Sequence, residues 1–195
     1  MAIIIDGKQT AENITEELKL EVSKMQKKPH LVVIQVGDNP ASNIYVNLKH
    51  KKAEAIGIKS TIIKYPETIT EDELINKIEE LNNDNEVHAV LVQLPLPKHI
   101  RKTNVIKAIS ARKDVDGFTA QNSGDLLNGI IPKVYPCTPK GVLRLLKEYN
   151  IEIAGKYAVI VGRSNIVGKP VAIMLLNKDA TVTICHSKTK NLSEI

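Results

Sequence analysis

The fold of this chain is decided by the stretch YAVIVGRSNIVGKP, residues 157–170. A short apolar run enters a glycine turn, and a helix is predicted to follow over residues 171–176. This order of strand, turn and helix is how a dinucleotide-binding βαβ unit brings a pyrophosphate to a helix N-terminus. Gly162 and Gly168 lie six residues apart, and Ser164 stands where the second glycine of the usual fingerprint would be. The fingerprint is therefore present in an altered form.

The next predicted strand, residues 181–185, indicates which dinucleotide is bound. An NAD site places an acidic residue about 20 residues after the glycines to accept from the ribose 2′-hydroxyl. Here the chain offers His186, Ser187 and Lys188 instead, and Arg163 lies in the glycine turn itself. Such a set favours a 2′-phosphate, because a guanidinium pairs bidentately with phosphate oxygens. The alternative is an ordinary solvated basic turn. The predicted NADP-binding residues are Gly162, Arg163, Ser164, Gly168 and Ser187.

Composition indicates a cytoplasmic enzyme with small anionic ligands. The 195 residues are 43% hydrophobic, and no apolar run approaches the roughly 18 residues of a membrane span. The first residues carry no pattern of a signal peptide, and Cys137 and Cys185 are expected to be reduced thiols. A net charge of +5 with 3% aromatic residues argues against nucleic acid as a partner. The five histidines form no paired ligand motif, so no metal site is expected.

Predicted helices and strands alternate along the whole chain. This pattern indicates an α/β fold with parallel sheets covered by helices, arranged in two lobes. We expect an N-terminal α/β catalytic domain over residues 1–140 and the start of a Rossmann-like NADP-binding domain over residues 141–195. Helices are predicted over 10–25, 42–56, 70–82, 103–110 and 138–149, and further strands over 31–36, 60–65 and 87–93.

Side-chain capping signals mark three of these helix starts. Ser42 and Thr138 are predicted N-caps, and Thr70 with Glu73 forms a predicted capping box. In the helix that follows Ser42, Tyr45 and Lys49 are four residues apart and share one face. Lys49 lies beside a predicted apolar stripe, so we expect its ammonium group to be partly desolvated. The members of that stripe are Ala41, Ile44 and Leu48.

Six segments together carry a family resemblance. They occur in order and closely resemble the bifunctional methylenetetrahydrofolate dehydrogenase/cyclohydrolase family over essentially the whole chain. The resemblance implies NADP-dependent oxidation of 5,10-methylenetetrahydrofolate, followed by hydrolysis of the methenyl product to 10-formyltetrahydrofolate. It also implies a homodimer. The segments are SNIYVNLK (42–49), VQLPLP (92–97), KDVDGF (113–118), PCTPKG (136–141), GRSNIVGKP (162–170) and CHSKT (185–189).

The same resemblance implies roles for four residues of the first lobe. Lys49 would be the key residue for hydrolysis, activating water or carrying protons around the folate bridge carbon. Gln93 would position Lys49, and Tyr45 would stack against or orient the pterin. Asp114 would bind the pterin ring, because a carboxylate accepts a paired set of donors from an aminopyrimidine edge. Asp116 is expected to shape the loop.

Plainer alternatives exist for each of these residues. A Tyr and Lys at helical spacing can mark a half-exposed face, Gln93 can cap a turn, and Asp114 can be an Asx-type loop residue. Cys137 has no His paired with it in sequence and is expected to be a small packing residue. For the chain, the alternatives are an NADP-dependent dehydrogenase of another substrate and an inactive folate-binding fragment. The second arises because only two strands of the dinucleotide domain are predicted, which suggests a truncated lobe.

Overall fold

A computed structural model describes residues 3–195 and confirms a mixed α/β fold. The chain forms two compact units, and the first helix, α1 (Gly7–Lys24), begins in one and continues into the other. One unit is Ala11–Val115; the other combines the residues up to Thr10 with Asp116–Ile195. The division at residues 140 and 141 that we expect from the sequence stays a prediction about domains.

The Ala11–Val115 unit is built on a three-stranded parallel sheet. Its strands are β1 (His30–Val36), β2 (Lys59–Tyr65) and β3 (Ala89–Val92), in the order β2-β1-β3. β1 is almost wholly buried, as expected for a central strand covered on both faces. Its register places Ile34 opposite Val92 of β3, so the two strands end side by side.

Three helices cover the two faces of this sheet. They are α2 (Pro40–Ala55), α3 (Glu71–Asn83) and α4 (Lys102–Ala108). α2 packs on the face that carries Val33 and Leu91, through Val46. α3 and α4 pack on the opposite face, which belongs to the largest hydrophobic core of the described residues. That core includes Val32, Ile34, Leu74, Ile78, Val90 and Val105.

One of the three predicted helix caps is confirmed. Thr70 Oγ1 accepts from the Glu73 amide while the Glu73 carboxylate accepts from the Thr70 amide, the capping box that we predicted. The Ser42 cap is wrong: α2 begins at Pro40, and Asn39 is the cap, its side chain accepting from the Ser42 amide at 3.1 Å. Proline is pre-organised for a first helical position, so the helix starts two residues earlier than predicted.

The Thr138 cap is also wrong. The helix it was expected to open, α6 (Cys137–Glu148), begins directly after Pro136 and has no side-chain cap bond. Thr138 therefore lies inside its first turn. A shorter helix before it, α5 (Ala120–Leu127), was not predicted; the Thr119 side chain caps it by accepting from the Asn122 amide.

The other unit contains a two-stranded parallel sheet. β4 (Tyr157–Val161) and β5 (Thr181–Cys185) pair in register, and α7 (Gly168–Leu176) connects them. The strand 181–185 is confirmed at both ends. The core of this unit joins α5, α6 and α7 with one face of the sheet, through Leu126, Leu143, Val171, Met174 and Leu175.

A charged cluster joins the start of α3 to the residue before α4. The Glu71 carboxylate accepts from the Arg101 guanidinium at 2.8 Å, from the Arg101 amide and from the Asn104 side chain at 2.7 Å. These hydrogen bonds, the guanidinium's first, hold the pKa of Glu71 at about 2, well below its usual value.

Over residues 3–195, none of the helices is long and apolar enough to cross a membrane.

Candidate active site at the strand ends

Lys49 and Gln93 meet at the end of the three-stranded sheet. Lys49 Nζ donates to Gln93 Oε1 at 3.2 Å, joining α2 to the residue that follows β3. The Gln93 amide nitrogen Nε2 donates to the Leu94 carbonyl at 2.7 Å. A backbone carbonyl only accepts, so the nitrogen of this amide must face Leu94 and its oxygen is left for the ammonium group. The orientation of Gln93 toward Lys49 is therefore fixed by its own backbone.

The surroundings of Lys49 differ from the predicted ones. The proposed apolar stripe is wrong: Ala41 is exposed, Ile44 is 61% exposed and Leu48 is 49% exposed. The buried face of α2 consists of Ser42, Val46 and Ala53. Lys49 falls on that face by helical spacing and is half-buried, so its partial desolvation comes from the sheet side of the helix.

Tyr45 lies one turn before Lys49 on α2. Its side chain is 60% exposed, so the ring is available to a ligand. The burial of Tyr45 alone is also what a half-exposed helix face would give. Lys49, by contrast, is held in a specific hydrogen bond, which an ordinary solvated lysine does not require.

Asp114 is a buried carboxylate in the loop that follows α4. It is 2% exposed, and its backbone forms an isolated bridge with Val90. Lys113 before it donates through Nζ to the Leu81 and Asp84 carbonyls, at 2.7 and 2.6 Å, which ties the loop to the end of α3. Asp116, two residues on, is half-buried. The role of Asp114 toward the pterin stays a prediction.

The predicted cofactor residues lie at one edge of the two-stranded sheet. β4 and β5 end together, and the Gly162 amide donates to the Cys185 carbonyl at 2.8 Å. Arg163 follows Gly162, Ser187 lies two residues after Cys185, and both are exposed. The turn after β5 is stabilised by the His186 amide, which donates to Thr189 Oγ1 at 2.8 Å. The structure thus brings the two halves of the predicted 2′-phosphate site to the same edge.

The glycine turn itself is tightly packed. Gly162 has φ +141°, and a Cβ on Gly168 would lie 2.2 Å from the Gly162 carbonyl oxygen, so no side chain fits there. Ser164 Oγ accepts from the amides of Val167 and Gly168, at 3.1 and 3.2 Å. The sequence predicts a pyrophosphate at this helix start. In the structure Ser164 accepts from two of the amides there, a pair of bonds that the sequence does not predict.

Each of the two units contains a cavity. A cavity of about 370 Å³ opens at the carboxyl end of β1, lined by Gly37, Asp38, Glu67 and Pro97 among others. A larger groove of about 1020 Å³ in the other unit is lined by α6 and by the C-terminal end of α7, including Leu143, Met174 and Asp179. That groove contains none of the predicted site residues. Among the described residues, no group of three or more His, Cys, Asp or Glu is arranged to hold a metal ion.

Comparison with known proteins places the chain in one family. The profile of the tetrahydrofolate dehydrogenase/cyclohydrolase catalytic domain matches residues 5–116, and that of the family's NAD(P)-binding domain matches residues 136–195. The bifunctional protein FolD of Listeria innocua is 54% identical over 198 residues, covering all of this chain and 69% of the relative. FolD of Streptococcus thermophilus is 50% identical over all of this chain and 70% of the relative.

Solved structures agree with this placement. The bifunctional enzyme FolD of Campylobacter jejuni, a methylenetetrahydrofolate dehydrogenase/cyclohydrolase, superposes with a TM-score of 0.96 at 50% identity, over 98% of this chain and 69% of that one. The Trypanosoma brucei enzyme, complexed with NADP cofactor and inhibitor, gives 0.91 at 38% identity, over 96% of this chain and 65% of that one. The chain belongs to the tetrahydrofolate dehydrogenase/cyclohydrolase family.

Proposed function

We propose that this chain oxidises 5,10-methylenetetrahydrofolate with NADP and hydrolyses the methenyl product to 10-formyltetrahydrofolate. In the first step a hydride leaves the folate bridge carbon for the nicotinamide. In the second, water adds to that carbon, one carbon–nitrogen bond breaks and a proton is released. The observation that supports the pair of activities best is the Lys49–Gln93 hydrogen bond, because hydride transfer alone has no need of it.

Hydrolysis assigns distinct tasks to these two side chains. Lys49 offers three N–H groups, one of which is directed to Gln93 Oε1. The other two are left to orient a water molecule or to carry a proton at the bridge carbon. Gln93 cannot swing away without giving up its bond to the Leu94 carbonyl. The position of the ammonium group is therefore set before substrate binds. A catalytic group that is already in place lowers the activation barrier of hydrolysis.

The cofactor edge has the chemistry that NADP requires. Arg163 and Ser187 supply a cationic fork and a hydroxyl for a 2′-phosphate, and residues 186–190 contain no carboxylate that would repel it. When bound, the cofactor supplies the hydride acceptor. The chain itself contributes to this step by holding the cofactor in place. We propose that the close-packed turn of Gly162, Ser164 and Gly168, together with Arg163 and Ser187, binds it.

Folate contacts are proposed for Tyr45 and for the loop that contains Asp114. The exposed ring of Tyr45 suits stacking on a pterin. Asp116→Asn is the matched comparison for Asp114→Asn. We expect Asp114→Asn to raise the KM for folate more than Asp116→Asn does, because an amide cannot accept a paired set of donors as a carboxylate does. An equal or larger KM effect from Asp116→Asn would contradict the pterin role of Asp114.

The hydrolytic role is tested by Lys49→Met in the purified enzyme. We expect loss of cyclohydrolase activity with much of the dehydrogenase activity kept, because only hydrolysis uses the ammonium group. Lys52→Met, at an exposed position one turn further along α2, is the matched control and should leave both activities unchanged. An equal loss of both activities in a folded Lys49→Met variant would contradict the role of Lys49.

The cofactor preference is tested by Arg163→Ala. Removing the guanidinium should weaken NADP binding more than NAD binding, because only NADP carries the 2′-phosphate. Lys169→Ala, also exposed and in the same segment, controls for the loss of one positive charge. Equal weakening of NADP and NAD would remove the basis of the proposed phosphate site.

We further propose a cytoplasmic homodimer that uses tetrahydrofolate derivatives and has no nucleic-acid partner. The support is the family's expected assembly and the modest net charge of +5. Sedimentation of the purified enzyme should give twice the chain mass, and retention on nucleic acid that weakens with salt should be absent. A monomer, or salt-sensitive retention, would contradict this part of the proposal.

A further inference from the structure

Gln35 is a buried polar residue that the proposed mechanism does not use. It lies near the end of β1 and is only 1% exposed. Ile34 and Val92 are register partners, so Gln35 and Gln93, one residue on in each chain segment, lie on the same face of the sheet. That face also carries Val33 and is covered by α2. Gln35 is thus the neighbour of the glutamine that holds Lys49.

A chain of hydrogen bonds through Asp38 and Asn43 fixes the orientation of the Gln35 amide. The Asp38 carboxylate only accepts, so Asn43 must direct its Nδ2 toward it, at 2.8 Å. This leaves Asn43 Oδ1 facing Gln35, whose Nε2 donates to it at 2.5 Å and to the Gly37 carbonyl at 3.3 Å. The amide cannot be reversed without placing two acceptors against each other.

The oxygen of the same amide is left without a hydrogen-bond partner. Gln35 Oε1 is buried and accepts from no donor in the structure of residues 3–195. An orphaned acceptor lowers stability, and an apolar residue of similar size would fill the position without that cost. A polar side chain at a position where it lowers stability points to a role outside the fold's own stability.

Asn43 connects Gln35 to the catalytic helix. It lies in the first turns of α2, two residues before Tyr45 and six before Lys49. α2 is therefore tied to the sheet end by two polar side-chain bonds on one face, Gln35 to Asn43 and Gln93 to Lys49. The first sets the position of the helix and the second sets the position of the ammonium group on it.

We propose that Gln35 is a positioning residue for hydrolysis, acting through Asn43 on the placement of Lys49. This inference rests on the proposed cyclohydrolase activity. Gln35→Leu removes the bonds to Asn43 and to the Gly37 carbonyl together with the orphaned oxygen, while conserving most of the volume. The lost bonds lower stability and the removal of the orphaned oxygen raises it, so we expect a small change in thermal stability. We expect the kcat of hydrolysis to fall about tenfold and the kcat of oxidation to change less than about threefold.

A coupling test separates this role from a general effect on folding. If Gln35 acts through Asn43, the double variant Gln35→Leu/Asn43→Leu should lose no more hydrolysis than the more affected single variant. Leu31→Ala, on the same face at the other end of β1, is the control; it should lower thermal stability and leave the ratio of the two activities unchanged.

The outcomes are distinguishable. A wild-type enzyme that oxidises methylenetetrahydrofolate but does not hydrolyse the methenyl product would defeat the proposed function, and the inference with it. A wild type with both activities whose Gln35→Leu variant keeps them in the wild-type ratio would overturn the inference alone. Losses that multiply in the double variant would also overturn it, because they would show that the two residues act independently.

Discussion

Replacing Gln93 by Leu tests how much the Lys49–Gln93 hydrogen bond contributes to hydrolysis. The bond from a charged donor to a neutral acceptor is worth about 1.5–3 kcal/mol. If the whole of it acts in the transition state, its loss lowers kcat by about 10- to 100-fold, since each 1.4 kcal/mol is a factor of ten. At 3.2 Å the Lys49–Gln93 contact is at the long end of the N–H···O range. We therefore expect the lower limit, about a tenfold loss of hydrolysis.

Gln93→Leu also removes the donor to the Leu94 carbonyl, and this sets the expected cost in stability. A neutral intramolecular hydrogen bond contributes about 1 kcal/mol, so a modest drop in Tm should accompany the kinetic effect. Hydrolysis is followed by the disappearance of methenyltetrahydrofolate absorbance, and oxidation by NADPH formation on the same preparation. Oxidation is the internal control and should change by less than about twofold. Hydrolysis that stays within twofold of wild type, in a folded variant, would refute the positioning role of Gln93.

Further predictions concern the cofactor turn, acid stability and the Asp114 loop. Gly168→Ala would place a methyl group against the Gly162 carbonyl, and we expect it to destabilise its unit by about 1–3 kcal/mol and to abolish NADP binding. The control Gly141→Ala, in open space on α6, should be neutral or slightly stabilising. Equal Tm values for the two variants would contradict the packing argument. Because its folded pKa of about 2 lies below the ordinary value of 4.5, Glu71 contributes stability that is present above pH 4.5 and lost as the pH falls toward 2. In Glu71→Gln, the free energy of unfolding in urea should depend less on pH across that window. A pH dependence equal to that of the wild type would contradict this. Lys113→Met removes two bonds to carbonyls at the end of α3 and should raise the KM for folate with kcat of oxidation kept within about threefold; an unchanged KM would show that the loop does not depend on this lysine.

Local sequence signals predicted the fold well where one mechanism dominated. The strand at Thr181–Cys185 and the Thr70–Glu73 capping box are confirmed. Both features depend only on residues that are close together in the sequence. Ser42 was mistaken for a cap because Asn39 and Pro40 together begin the helix earlier. α5 was missed because its only strong signal is the cap at Thr119.

The sequence predicts candidate site residues but not the contacts that these residues make. Helical spacing alone put Tyr45 and Lys49 on one face, but the burial of that face depends on which sheet it covers, so the apolar stripe around Ile44 was wrong. The Gln35–Asn43 bond joins residues on different elements and leaves no trace in local pattern. The Ser164 bonds to the start of α7 depend on the turn conformation, which glycine spacing does not specify.

We propose that one chain carries an NADP site at Arg163 and Ser187 together with a folate site at Lys49. The most direct measurement is reduction of NADP and of NAD by the purified enzyme with methylenetetrahydrofolate, run side by side, with formation of 10-formyltetrahydrofolate measured on the same samples. We expect strong turnover with NADP, much weaker turnover with NAD, and conversion of the methenyl product. Turnover with NAD alone would contradict the phosphate site, and no turnover with either cofactor would contradict the assigned reaction.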